Sequence, residues 1–255
     1  MAYSASNASG VTITVHDLKS KPYIDLTLSV MNHFGWYVNC INHEQFVFKA
    51  ADNKQSLNPI TYQVEGDWSG ASFLLVAGAI AGGIVVEGLD PFSTQADKAV
   101  LQALIDAGCQ ISIQPTRIEI APLPLKAFHF NATDCPDLFP PLVALASVCN
   151  GVTKIKGVSR LAHKESDRGL TLQTEFAKMG VQIELVGDEM LIHGGSLIQS
   201  ATVFSQHDHR IAMACGVAAL VANGPIEITE AEAINKSYTN FFTHLQELGA
   251  KVDIQ

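Results

Sequence analysis

Arginine is scarce in this chain, and its positions are uneven. Only four arginines occur among the 255 residues. Arg168 and Arg210 each end a short polar segment, 163–168 and 208–210, and Arg160 stands just before the first of these. The guanidinium group is a planar fork of donors that fits phosphate and carboxylate oxygens. Because both segments lead into predicted helices, the pattern predicts a site for a small anion.

The same polar segments, and one further helix entrance, contain groups that could transfer protons. Lys164 and Glu165 are candidates for acid–base work, although such a pair is also common at a helix start, where glutamate is favourable. Asp137 precedes an apolar helix, where it is either an N-cap or, beside cationic groups, a general base. His209 is either a structural histidine or a catalytic group. These four side chains are the catalytic candidates of the sequence.

Composition and motifs argue against several classes of function. The net charge is −9 and only 16% of residues are charged, which disfavours a nucleic-acid partner. The sequence has no Cys/His spacing typical of a metal site and no GxGxxG, Walker A or GxSxG motif. It has no apolar stretch of about 18 residues and no signal-peptide pattern, so no membrane partner is expected. Five cysteines without a CxxC pair indicate reduced thiols and a cytoplasmic protein.

A repeat of about 70 residues organises the sequence. Four amphipathic helices each end at a glycine and lead into a short strand, and these glycines are 73, 72 and 69 residues apart. Each glycine stands where the end of a helix requires left-handed backbone. The four segments are 26–38 around Gly35, 98–113 around Gly108, 170–185 around Gly180 and 239–254 around Gly249.

Between these segments lie three helices that are apolar on every side and are therefore predicted to be buried. An aspartate precedes each, and the three aspartates are 70 and 71 residues apart. If the units stack, the polar loops before the helices converge on one rim, where helix N-termini add positive potential for an anion. The predicted ranges are 69–82 after Asp67, 138–151 after Asp137 and 211–224 after Asp208.

The chain contains about three and a half of these units. The first begins at a predicted strand, 11–15, without a buried helix, and the last stops at Gln255 before its final strand. We therefore expect a fragment or a reduced version of a longer repeat protein.

At these residues the sequence resembles the enolpyruvyl transferases, and most of all the 5-enolpyruvylshikimate-3-phosphate synthase family. The resemblance runs from about residue 11 to the end. It implies an α/β fold, an inside-out α/β barrel built from βαβαββ repeats, of which this chain holds an incomplete set. The matching segments are Ser20–Asp25, Glu65–Asp67, Pro136–Asp137, Lys164–Arg168, Asp208–Met213 and Lys236.

The resemblance also implies a division of the chain. Residues 1–10 would be a disordered leader or an artificial extension. Residues 11–64 would be one repeat unit of the shikimate-binding domain, and residues 65–255 most of the second domain.

Members of this family transfer the enolpyruvyl group of phosphoenolpyruvate to the 5-hydroxyl of shikimate 3-phosphate and release phosphate, on the pathway to chorismate and the aromatic amino acids. The resemblance implies that activity, with no metal or organic cofactor, in a cytoplasmic monomer. Family segments that would precede residue 11 have no counterpart here, so the isolated chain is expected to be weak or inactive. Two alternatives are a UDP-N-acetylglucosamine enolpyruvyl transferase and a non-catalytic substrate-binding fragment.

Residue roles carry over by position. Arg160 departs from the uncharged polar residue of many members. Shikimate 3-phosphate would be bound by Ser20, Tyr23, Asp137, Arg160 and Lys164. Phosphoenolpyruvate would be bound by Arg168, Arg210 and Lys236. The catalytic groups would be Asp137, which deprotonates the hydroxyl, with Lys164, Glu165 and His209.

Overall fold

The computed structural model describes residues 10–48, 59–162 and 164–253. The described chain divides into two compact units. Unit 1 comprises the described residues up to Val64 together with Phe92–Ala96, and unit 2 comprises Glu65–Pro91 and the described residues from Asp97 onward. The leader expected at 1–10 lies outside the described residues except for Gly10, and so does His163 of the first polar segment.

Unit 1 is a three-stranded antiparallel sheet with one helix. The strands lie in the order β1-β3-β2. The core consists of Met31, Phe46 and Phe48, and partly buried side chains such as Trp36 pack against it. The helix ends near Gly35, which has a φ of +78°. The elements are β1 (Thr12–Thr14), α1 (Lys21–His33), β2 (Val38–Ile41) and β3 (Gln45–Phe48).

Unit 2 contains two kinds of helix, as the sequence predicts. Helices α2, α4 and α6 are buried on almost every side and pack against one another, whereas α3, α5 and α7 are amphipathic. At Gly216 in α6, an added Cβ would lie 2.8 Å from the ring of Phe242, so a glycine permits this close approach. The helices are α2 (Trp68–Ile80), α3 (Val100–Ala107), α4 (Phe139–Val148), α5 (Arg168–Lys178), α6 (His209–Ala219) and α7 (Phe241–Glu247).

Three sheets accompany these helices in the described part of unit 2. Their orders are β4-β6-β5, β7-β8-β10-β9 and β11-β12. The pairs β7–β8 and β11–β12 are parallel, and the other pairs are antiparallel. The strands are β4 (Ile84–Glu87), β5 (Gln110–Ile113), β6 (Arg117–Ala121), β7 (His129–Asn131), β8 (Gly151–Lys156), β9 (Gln182–Val186), β10 (Glu189–Gly194), β11 (Ala201–Phe204) and β12 (Ile226–Thr229). Short 3-10 helices occupy Ala96–Ala99, Pro136–Leu138, Val158–Arg160 and Ala231–Lys236.

The repeat is confirmed, with one error. All four helix-ending glycines have positive φ, from +78° at Gly35 to +102° at Gly249. The strand predicted after Gly249 is wrong for the described residues, because 250–253 form no strand. After the second and third amphipathic helices, the following strand pairs with the next strand of a hairpin. In the described residues the segment 250–253 bonds back to α7 instead. The backbone N–H of Ala250 donates to the backbone oxygen of Leu245 at 3.0 Å, and the backbone oxygen of Val252 accepts from the side-chain amide of Gln246 at 3.4 Å.

Candidate active site

Three turns of unit 2 bring most of the predicted site together. Asp137 lies in the 3-10 helix before α4, the segment from Lys164 leads into α5, and Asp208 precedes α6. Their side chains meet in an ion-pair cluster, which we define as Asp137, Lys164, Glu165, Arg168, Asp208 and Arg210. Three cations face three carboxylates in this cluster, so its formal charge is balanced within the protein.

Arg168 is the hub of the ion-pair cluster. Its side chain is only 1% exposed. Nε donates to Asp208 Oδ2 at 2.7 Å, Nη1 donates to Asp137 Oδ1 at 2.7 Å, and Nη2 donates to both Glu165 Oε2 at 2.5 Å and Asp208 Oδ1 at 3.2 Å. Burial disfavours the charge, but the bonds to Asp208 and the nearby carboxylates outweigh it and raise the pKa of the guanidinium. The residue therefore ties the starts of three helical segments to one another.

Asp208 is the buried partner that fixes Arg168. Its side chain is fully buried and caps α6, because Oδ1 accepts the backbone N–H of Arg210 at 3.0 Å. Oδ2 also accepts the hydroxyl of Ser166 at 3.1 Å. Burial alone would raise the pKa of this carboxyl, but the hydrogen bond and charge of Arg168 hold it below its usual range. A carboxylate at a helix N-terminus also interacts favourably with the helix dipole.

Asp137 is shared by three cations. Its Oδ1 lies 3.0 Å from Lys164 Nζ and 2.7 Å from Arg168 Nη1, and its Oδ2 lies 3.4 Å from Arg210 Nη2. Burial opposes ionisation, but Arg210, Lys164 and Arg168 together lower the pKa of Asp137 to about 2. Of the two alternatives left by the sequence, the structure places this carboxylate beside cations, and within the described residues it does not cap α4.

Exposure separates the cluster into an inner and an outer part. Arg168 and Asp208 are inaccessible, whereas the side chains of Lys164 and Arg210 are 27% and 11% exposed. Glu165 is 39% exposed at its side chain. The inner pair can therefore only hold the site together in this state, and the outer cations are the ones that a dissolved anion can reach.

His209 is the first residue of α6 and is buried. Its Nδ1 has no hydrogen-bond partner among the described residues and lies 3.9 Å from Asp208 Oδ1. Burial, and then the charge of Arg210, lower its pKa, so the ring is neutral at pH 7. A buried ring nitrogen without a partner is costly, and in this structure Nδ1 is inaccessible to a dissolved ligand.

The remaining predicted residues lie in different surroundings. Lys236 ends the 3-10 helix Ala231–Lys236, and its Nζ donates to the backbone oxygen of His207 at 2.6 Å, two residues before His209. Arg160 ends the 3-10 helix Val158–Arg160. Ser20 and Tyr23 belong to unit 1, at the start of α1, where Ser20 has a φ of +55°.

Sequence reasoning does not identify Asp208 as the partner of Arg168, nor Ser166 as a second hydrogen-bond donor to Asp208. The available signal is position, because Asp208 stands one residue before a buried helix, as Asp67 does. A buried carboxylate at such a position needs a cation or hydrogen-bond donors to compensate its charge.

Among the described residues, no group of three or more His, Cys, Asp or Glu could hold a metal ion. No helix in the described ranges is long and apolar enough to cross a membrane.

The chain matches one protein family over almost its whole length. A sequence model of the family described as EPSP synthase (3-phosphoshikimate 1-carboxyvinyltransferase) matches residues 1–245. Proteins named 3-phosphoshikimate 1-carboxyvinyltransferase from Clostridium kluyveri and Brachyspira hyodysenteriae are 36% and 37% identical to it, over 97% and 92% of this chain. These alignments take in 57% and 56% of the relatives, so the chain spans little more than half of their length.

Solved structures share the fold. The structure of EPSP synthase from Acinetobacter baumannii gives a TM-score of 0.78 at 23% identity, covering 97% of this chain and 58% of that one. The enolpyruvyl transferase NikO from Streptomyces tendae gives 0.73 at 16% identity, covering 95% and 56%. At such identities the likeness shows the fold alone. The α/β fold of the enolpyruvyl transferases, expected from the sequence, is confirmed.

Proposed function

Because the chain belongs to the EPSP synthase (3-phosphoshikimate 1-carboxyvinyltransferase) family, we propose that it supplies the phosphoenolpyruvate-binding side of an enolpyruvyl transferase. The reaction joins the enolpyruvyl group of phosphoenolpyruvate to the 5-hydroxyl of shikimate 3-phosphate and releases phosphate. The single observation that carries this proposal is the convergence of Lys164, Arg168 and Arg210 on one accessible carboxylate.

Anion binding follows from the outer cations of the cluster. Lys164 and Arg210 are accessible and are neutralised by Asp137. A phosphate or carboxylate that takes the place of Asp137 offers the same oxygens to these donors. Lys236 Nζ donates to the backbone oxygen of His207, in the loop before α6, and we propose that it turns to the same ligand when the anion binds. Arg168 is inaccessible and paired with three carboxylates, so we propose that it acts on the anion indirectly, by holding Asp137 and Asp208 in place.

The proposed general base is Asp137, and ligand binding would activate it. With a pKa of about 2, the carboxylate is a poor base while three cations surround it. When an anion recruits Lys164 and Arg210, the stabilisation of the ionised form decreases, so the pKa rises. Binding of the first substrate would therefore prepare the group that accepts the hydroxyl proton of the second.

The chemistry needs one proton donor and one acceptor. Asp137 takes the proton of the 5-hydroxyl as the hydroxyl oxygen attacks C2 of phosphoenolpyruvate. Glu165, whose side chain is 39% exposed, first takes up a proton from solvent and then delivers it to C3. The tetrahedral intermediate then loses phosphate as a C3 proton returns to the protein and the double bond forms again. Alignment of the substrates and fixed charges around the phosphate would supply most of the acceleration.

Binding of shikimate 3-phosphate is proposed, residue by residue from the resemblance, for Ser20, Tyr23, Asp137, Arg160 and Lys164. All of these residues except Arg160 lie in segments that resemble the family, and Ser20 and Tyr23 also stand at a helix N-terminus, where amides favour anions. Arg160 is proposed from its aligned position alone. We also propose the division into one shikimate-binding repeat, 11–64, and most of a second domain, 65–255. The boundary between the two compact units after Val64 supports it.

Two observations bear on the alternatives. The relatives reported above carry the name of the shikimate branch, which favours it over UDP-N-acetylglucosamine. The alternative of a non-catalytic substrate-binding fragment is favoured by the coverage, because the chain spans 57% of the Clostridium kluyveri relative.

A cytoplasmic location is supported by five free cysteines, of which Cys135, Cys149 and Cys215 are buried. Burial raises the pKa of each of these three thiols to about 12.

Calorimetry with phosphoenolpyruvate tests the proposal. Arg210→Ala should weaken binding at least about tenfold, because a charged hydrogen bond of this kind contributes about 1.5–3 kcal/mol. The matched control is Arg117→Ala, which removes the same charge from β6, where Arg117 pairs with Glu119. Equal heats from the parent and Arg210→Ala would remove Arg210 from the phosphoenolpyruvate site.

A further inference from the structure

Glu175 is a buried carboxylate outside the ion-pair cluster, and it lies on α5 two turns after Arg168. The side chain of Glu175 is 1% exposed. Its Oε2 accepts the backbone N–H of Phe204 at 2.8 Å and Lys178 Nζ at 2.7 Å, and its Oε1 accepts the side-chain amide of Gln206 at 3.3 Å. Buried carboxylates are rare unless hydrogen bonds compensate them. Two of these three bonds go to the end of β11 and to the loop that follows it.

That loop has a strained backbone. Gln206 and His207 have φ values of +54° and +56°, a left-handed conformation that is disfavoured for residues other than glycine. Ser205 Oγ donates to the backbone oxygen of Glu230 at 2.9 Å, and Glu230 itself has a φ of +54°. Lys236 Nζ donates to the backbone oxygen of His207. Such conformations persist only where the surroundings over-determine them.

Helix α5 holds this loop at both ends. Residues seven positions apart lie on the same face of a helix, about 10 Å apart along its axis. Glu175 bonds to Phe204 and Gln206 at the start of the loop, and Arg168 bonds to Asp208 at its end. Since Asp208 caps α6, the two contacts together set where α6 begins.

We propose that Glu175 is a positioning residue of the anion site. It holds loop 204–208 in its left-handed conformation, so that Asp208 caps α6 and Arg210 reaches the ion-pair cluster. Insofar as the anion is phosphoenolpyruvate, this inference rests on the function proposed above. Glu175 itself touches no substrate.

The variant that tests this is Glu175→Gln. All three partners of Glu175 are donors, so an amide of the same size must turn its NH2 group toward at least one of them. Lys178→Gln is the matched control, because it removes the partner whose side chain is 41% exposed and leaves both loop contacts in place. If Glu175→Gln does not fold, Gln206→Asn replaces it, since asparagine tolerates left-handed backbone but is too short to keep the bond to Glu175.

Two measurements are made on each variant: the dissociation constant for phosphoenolpyruvate and hydrogen exchange of the backbone amides. Glu175→Gln should weaken binding about tenfold and accelerate exchange at 204–210 about tenfold, with exchange in β4–β6 unchanged. Gln206→Asn should act in the same direction to a smaller extent, and Lys178→Gln should stay within about twofold of the parent.

Three outcomes would overturn the inference: unchanged exchange at 204–210, exchange that rises equally throughout unit 2, or local loosening without any loss of affinity in a parent that binds. If the parent itself fails to bind phosphoenolpyruvate, the proposed function fails. In that case exchange at 204–210 alone decides whether Glu175 positions the loop.

Discussion

Asp137 is ionised at physiological pH, as a general base must be, but its pKa of about 2 makes it a weak base until the surrounding cations are drawn away. The sequence predicts which residue types gather here, because its motif segments name Asp137, Lys164 and Arg168. It does not predict that the four donated bonds of Arg168 go to three carboxylates. Those partners lie up to forty positions away, and the distances depend on how three helix starts pack.

Removing the charge of Asp137 should lower the free energy of unfolding by an amount that depends on pH. The folded-state pKa is about 2, below the ordinary value of about 3.9. A lowered pKa stabilises the fold above the unfolded value, and this contribution disappears as the pH falls from about 4 through about 2. Asp137→Asn should therefore lower the free energy of unfolding by about 2–3 kcal/mol at pH 7 and by less at pH 3.

Urea unfolding at both pH values checks this prediction. The control is Asp106→Asn, which alters a surface carboxylate that accepts a hydrogen bond from Gln102. A loss of stability at Asp137→Asn that is equal at pH 3 and pH 7 would contradict the assigned shift.

At the level of elements, local signals account for most of what the sequence predicts. Left-handed glycines end the amphipathic helices, and Asp67 and Asp208 cap buried ones. Both signals depend on neighbours along the chain. A strand depends in addition on a partner strand, and the strand predicted after Gly249 is absent from residues 250–253. Asp137 shares the spacing of the two capping aspartates, but it makes ion pairs with residues distant in the sequence. Equal spacing therefore does not establish an equal role.

The two capping aspartates should differ when each is replaced by alanine. Asp67 accepts the backbone N–H groups of Ser69 and Gly70 at 2.9 and 3.1 Å. Its loss should lower the free energy of unfolding by about 1 kcal/mol and leave affinity for phosphoenolpyruvate unchanged. Asp208→Ala should cost about 3–5 kcal/mol, because it also leaves the buried Arg168 without its main partner.

Urea denaturation and calorimetry on both variants separate the two roles. If Asp67→Ala abolished binding as Asp208→Ala is expected to, then Asp67 would have to be assigned to the site.

At the level of the whole molecule, the chain holds the ion-pair cluster but spans little more than half of the length of its relatives. The resemblance places further substrate contacts in segments that have no counterpart in this sequence. The chain should therefore bind an anion without catalysing the transfer efficiently. Binding of the anion needs only the ion-pair cluster, whereas the transfer needs two substrates held in the correct relative orientation.

A protein of these 255 residues is expected to bind phosphoenolpyruvate, yet to release phosphate at less than about 1% of the rate of the Clostridium kluyveri relative, because loss of substrate alignment costs at least about a hundredfold. Phosphate release with both substrates present measures this, with the relative as positive control. A comparable rate from the two proteins would show that these residues suffice for catalysis.

The bond between Arg168 and Asp208 closes a loop of forty residues and is sealed from water. Closing such a loop costs entropy before any contact repays it, so the bond should form late, when α5 and α6 dock. Competence to bind an anion would then arise only with the finished core of unit 2, and a partly folded chain would have none. An anion that binds only the folded state stabilises it, so the melting temperature should rise with the logarithm of the anion concentration once this exceeds the dissociation constant. Thermal shift would therefore report whether unit 2 has folded fully.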